Sequence, residues 1–178
     1  MTTPQTHGIL LRLDWNSNNW TDKPNDDDIA SINFKYVKDN NETFTYFNLN
    51  KDQLLHNGYK YALAPQLVSR TPLRDVKVCF FISTKENNDY IVGIVLNPDF
   101  QSRRSFDGFP KDILFNIRSA PKNFYQIQPE IINLKKFLPS DKELGTRGFN
   151  YLTKNNCIDL IKEIYGNSLP SNMLKIIK

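Results

Sequence analysis

The sequence predicts an α+β fold: a curved or barrel-like, mostly antiparallel sheet with C-terminal helices packed at one end. Three observations carry this reading. Apolar residues alternate at period two through much of residues 8–132, a 3.6-residue period emerges only beyond residue 139, and turn residues separate the segments. The whole chain, 1–178, reads as one domain, β-rich over 8–132 and helical over 139–178.

The first strand is Gly8 to Trp15, with Ile9, Leu11, Leu13 and Trp15 on one face and Arg12 and Asp14 on the other. Trp20 to Asp28 reads as an acidic loop. Ala30 to Lys38 and Thr43 to Leu49 alternate around Asp39-Asn40-Asn41, which predicts a hairpin. Asn50 to Leu55 has the pattern of one helical turn, stopped by Asn57-Gly58. Asp75 to Thr84 predicts a strand with Val76, Val78, Phe80 and Ile82 on one side, and Lys85 to Asp89 a turn. Tyr90 to Leu96 is a nearly continuous apolar run, expected as a central strand buried on both faces, with Gly93 permitting a bulge.

Residues 101–112 read as a basic loop, and Ile113 to Arg118 and Phe124 to Ile132 as strands. Ser140 to Glu143 matches a capping box. Asn155 to Tyr165 places Cys157, Leu160, Ile161 and Ile164 on one helical stripe that ends at Gly166, and Ser171 to Lys178 begins a last short helix. Seven strands in one flat open sheet would expose aromatic edges, which favours closure.

Composition excludes several classes. With 39% hydrophobic and 24% charged residues the chain has material for a core. No apolar run approaches the ~18 residues that cross a bilayer, and the first residues lack the pattern of a secretory leader. Cys79 and Cys157 sit in apolar surroundings and are expected as reduced core thiols, which points to the cytoplasm. Two histidines, His7 and His56, lack zinc-ligand spacing, so no metal and no other cofactor is implied.

Charge is unevenly spread. Residues 1–59 carry net −3 and residues 60–178 net +7, for a total of +4. The excess lies in Lys60 to Lys77, with Arg70, Arg74 and Lys77, and in Arg103 to Lys122, with Arg103, Arg104, Lys111, Arg118 and Lys122. Basic loops beside a sheet suit phosphate contacts, and a guanidinium can hold a phosphate with two hydrogen bonds. A solvated basic surface would carry the same residues.

No nucleophile elbow, Walker loop or dinucleotide loop occurs, so no catalytic residue is assigned. Asp75-Val76-Lys77 resembles half of a metal-dependent nuclease motif without a second acid, and Asp26-Asp27-Asp28 reads as a solvated or capping run. Aromatic residues offer more. Trp15 and Trp20 flank a polar loop beside Asp14, and Tyr46 joins Tyr36, Phe44, Tyr59 and Tyr61 if the early strands pair. Such rings stack on bases while a carboxylate or amide reads an edge. Trp15 equally continues the apolar face of its strand, and Trp20 fits packing as well as exposure.

An early strand ending in Asp14-Trp15, the Tyr90 to Val95 strand followed by Asn97-Pro98, and basic residues at 101–104 resemble the PUA-like superfamily, whose EVE, YTH and SRA modules read modified bases. The resemblance touches under a quarter of the chain. It implies a small barrel-like sheet with a base-binding pocket at its mouth. The expected function is therefore a nucleic-acid-binding domain, DNA ahead of RNA, serving as a specificity module of a restriction or defence protein and its larger effector. Arg70, Arg74, Lys77, Arg103, Arg104 and Arg118 contact the backbone, and Trp15, Trp20, Asp14 and Tyr46 stack on or read a base. The alternatives are a protein-interaction module (inhibitor, immunity or phage accessory protein) and, behind it, a metal-dependent nuclease.

Overall fold

In the computed structural model the described residues are 6–20, 25–31, 55–64, 67, 73–104, 115–138, 148–166, 168–171, 173 and 175, with backbone alone at 29, 31, 103 and 104. The expected hairpin over 30–49, the helical turn before Leu55 and the capping box at 140–143 fall wholly or mainly outside them.

Strand β1 (Gly8–Leu13) runs parallel to β3 (Val78–Lys85), with Gly8 opposite Val78 and Leu13 opposite Ser83. Glu86 and Asn87, at φ 51° and 63°, turn the chain back into β4 (Asn88–Leu96). Two consecutive positive-φ residues match the right-handed twist of a tight hairpin. β4 then pairs with β7 (Phe124–Ile131), and β1 pairs with β8 (Phe149–Leu152), both antiparallel. The result is a mixed five-stranded sheet in the order β7-β4-β3-β1-β8. A second, antiparallel sheet has the order β2-β6-β5, formed by β2 (Lys60–Ala62), β6 (Phe115–Ser119) and β5 (Asp99–Arg104).

The larger sheet is buried on both faces, so its strands need apolar residues on both sides. Leu10, Phe80, Ile82, Ile94 and Leu96 face helix α2 (Lys154–Tyr165), which contributes Cys157, Leu160 and Ile161. Ile9, Leu11, Cys79, Phe81 and Val95 face the smaller sheet through Ala62 and Ile117. Layers therefore stack helix, sheet, sheet. The two thiols lie in opposite layers, both buried and free. Burial pushes the Cys157 thiol up to about 12.

β4 shows why its sequence lacked alternation. Phe81 pairs with Gly93 and Ile82 with Ile91, which leaves Val92 as an extra residue. This bulge reverses the phase, so Val92 faces the smaller sheet and Ile94 faces α2. The expected central strand and its irregularity at Gly93 are both present. α2 ends at Gly166, φ 53°, as expected, and begins one residue before the expected Asn155, where Thr153 Oγ1 accepts from Asn156 N at 3.3 Å.

Several expectations are corrected. Trp20 to Asp28 is not loop throughout: α1 (Asp26–Ser31) starts inside it and takes Ala30 from the expected strand. Asn25 and Asp28 form a reciprocal cap, Asp28 N donating to Asn25 Oδ1 at 2.8 Å and Asn25 N to Asp28 Oδ2 at 3.3 Å. Asn57-Gly58 stops no helix. Both have positive φ, and His56 and Tyr59 exchange two 3.1 Å backbone bonds across them as a hairpin. The basic 101–104 segment is strand rather than loop. β8 interrupts the expected helical C-terminal part, being too short to announce itself by periodicity. Val76 packs in the layer opposite Val78, because a turn bond from Val76 N to Leu73 O precedes the strand. Of the two placements open to the C-terminal helix, an end or a face of the sheet, α2 takes a face of the larger sheet.

Among the described residues no barrel closes, and no helix is long and apolar enough to cross a membrane.

Candidate functional site

Strand direction decides which residues share an end of the molecule. β1 and β3 begin where β4 and β8 finish and where β7 begins. β6 finishes at the same end, because Ser119 Oγ donates to Leu96 O at 2.7 Å, and β2 and β5 begin there opposite Ser119 and Arg118. This end therefore collects Lys60, Lys77, Arg118, Lys122 and Lys154, with Arg74 in the turn before Lys77. Among the described residues, the acids set with them are Asp75 and Asp99. Arg74, Lys77, Lys122 and Lys154 are exposed.

Backbone bonds hold this end together. Lys77 N donates to His7 O at 2.7 Å, and Asn97 N donates to Lys77 O at 2.8 Å. Asn123 Nδ2 reaches Ser119 Oγ at 3.1 Å, which fixes the short helical turn that carries Lys122. Lys154 opens α2, whose positive dipole end adds to the same field. His7 registers that field: burial first, then Lys154 and Lys77, push its imidazole below the ordinary range.

An aromatic group accompanies these cations. Arg118 lies over Tyr59 with its guanidinium carbon 4.6 Å from the ring centroid, while its Nε donates to Asp99 Oδ2 at 2.7 Å. That hydrogen bond holds the guanidinium above its ordinary range. Arg118 is thus tied to a carboxylate and a ring, so it supplies less net charge than its sequence position suggested. Tyr59 is 38% exposed, and Tyr61 beneath it is buried against Phe115.

The tryptophans are elsewhere. Trp15 follows the far end of β1 and meets Tyr90 at 5.2 Å and Trp20 at 5.4 Å between ring centroids, both edge-on, with Lys85 Nζ 4.8 Å from its ring. Trp20 is 1% exposed and donates Nε1–H to Asp14 O at 3.0 Å. As placed, it has no face to offer a base. Asp28 anchors the loop between the two rings, taking bonds from Ser17 N and Oγ at 2.9 Å each. β3 has eight residues, so roughly 20 Å of strand separates Lys77 from this corner.

The expected hollow, with arginines around tryptophans, is therefore split between two ends. Arg74, Lys77 and Arg118 come together; Trp15, Trp20 and Asp14 come together away from them. Arg104 lies toward the far end of β5, opposite Phe115, with Arg103 beside it. Arg70 and Tyr46 lie outside the described residues. Sequence reasoning missed the Tyr59–Arg118 stack, although Asn-Gly is a strong hairpin signal. Asp75, at the start of the half motif, sits exposed in a turn, and among the described residues no three His, Cys, Asp or Glu side chains cluster as metal ligands.

Comparison with family models, with curated proteins and with solved structures finds no match to the chain.

Proposed function

We propose that the cationic end of the two sheets binds nucleic acid through its phosphates, DNA ahead of RNA. One observation supports this most: separate segments place Lys60, Lys77, Lys122 and Lys154 at one end of the fold with Arg74. Clustered exposed cations release counterions from a polyanion, which drives association without reading sequence. The wider reading, a cytoplasmic specificity module of a restriction or defence protein with PUA-like closure of its sheets, belongs to the same proposal. A base pocket built on Trp15 and Trp20 does not, because both lie at the other end and Trp20 is sealed.

A protein-interaction role draws less support. Leu55, Tyr59 and Ile131 are the exposed large apolar side chains among the described residues, fewer than the exposed cations gathered at the cationic end.

Fluorescence anisotropy with a labelled DNA duplex tests the proposal. Affinity is expected to fall linearly with the logarithm of salt, and Lys77→Glu with Lys154→Glu to weaken it further. A flat salt response, or equal binding by the doubly reversed variant, overturns it.

A further inference from the structure

We infer that the ligand of this cationic end is single-stranded DNA, with an unpaired base stacked on Tyr59. The inference rests on the phosphate-binding reading above and adds the ligand's form. Tyr59 sits beside the hairpin tip Asn57-Gly58, and a Cβ built on Gly58 meets nothing within 4 Å. The space beside Gly58 is open, and the Tyr59 ring remains 38% exposed. Arg118 packs against the ring and is itself fixed by Asp99, so the platform is ordered before any ligand arrives. Lys60 follows Tyr59 directly and so turns to the other face of the strand, and Lys122 lies a few residues beyond Arg118; both stand at the same end of the fold. An exposed ring backed by a guanidinium, with lysines at the same end of the fold, is the pattern that grips a strand by base and backbone together. A duplex keeps its base faces within the stack and has none to offer such a ring, whereas a single strand turns its bases outward freely.

The test compares an oligothymidylate of about 20 nucleotides, longer than the ~4–16-nucleotide sites of single-strand binders, with a duplex of equal length, using the full chain. The oligothymidylate is expected to bind more tightly. Tyr59→Ala should lower its affinity at least about fivefold, the low end of base–aromatic stacking, and shrink the preference over duplex. Tyr59→Phe should retain both. Tyr59→Leu keeps apolar bulk without an aromatic face and should behave as Tyr59→Ala, which covers an alanine variant that folds poorly. Tighter duplex binding, or Tyr59 variants that match the parent, overturns this inference while salt-dependent binding leaves the phosphate reading standing. Binding of neither probe at low salt overturns both.

Discussion

Gly8 and Cys157 set the distance between the larger sheet and α2. A Cβ built on Gly8 would collide with Cys157 Sγ and stand 3.3 Å from Val78 O. Glycine is required here by close approach, since β1 must pass beneath the helix at this point. Gly8→Ala should cost about 1–3 kcal/mol through overpacking. In a Cys157→Ala background the same change should cost less, because the sulfur is gone. Urea unfolding of the four-member cycle measures the coupling, and strictly additive costs would contradict this packing.

Asn116 replaces a missing stretch of sheet with one side chain. Only 4% exposed, it accepts from Ala64 N at 2.9 Å and donates to Ala64 O at 2.8 Å. Asn116→Leu would strand both backbone groups without solvent. A loss of about 2–4 kcal/mol is expected, since each buried unsatisfied group costs ~1–3 kcal/mol. Asn116→Asp keeps the acceptor but loses the donor and buries a charge. It should be no milder.

His7 makes stability depend on pH in one direction. Burial, Lys154 and Lys77 lower its folded pKa below the unfolded value, so the folded state binds fewer protons. The His7 contribution is then fully present above the unfolded pKa near ~6.5 and is lost as pH falls toward the folded value. The thermal midpoint should drop from neutral pH toward pH ~5 more steeply than in His7→Asn. A parent and variant with parallel pH profiles would refute this.

Trp15 and Lys77 should separate stability from binding. Trp15→Ala removes two edge-on ring contacts and should cost about 2–3 kcal/mol while leaving the salt slope of DNA binding as in the parent. Lys77→Ala should leave the unfolding midpoint within ~0.5 kcal/mol and reduce the salt slope by about one. The opposite pairing of effects would move the site to the tryptophan corner.

Much of the architecture was legible where the chemistry is local. The β3–β4 hairpin, the buried β4 and α2 with its apolar stripe and glycine stop are each written in neighbouring residues. β8 was not legible, because four residues carry no measurable period and only pairing with Leu11 to Gly8 makes them a strand. α1 was hidden by its acidic composition, although Asn25-x-x-Asp28 is a cap once Ser17 brings the preceding loop to the same carboxylate.

By itself the sequence determined the class of fold and the positive excess of its last two thirds, since both depend on residue type and short-range spacing. Tertiary structure alone decided which charges meet and which aromatic ring stays outside. Ladder direction carries Lys77, Arg118 and Lys154 to one end, and the pairing of β1 with β3 carries Trp15 to the other. Trp20 is buried because its indole caps an apolar layer built from several strands, an arrangement no window of local sequence contains.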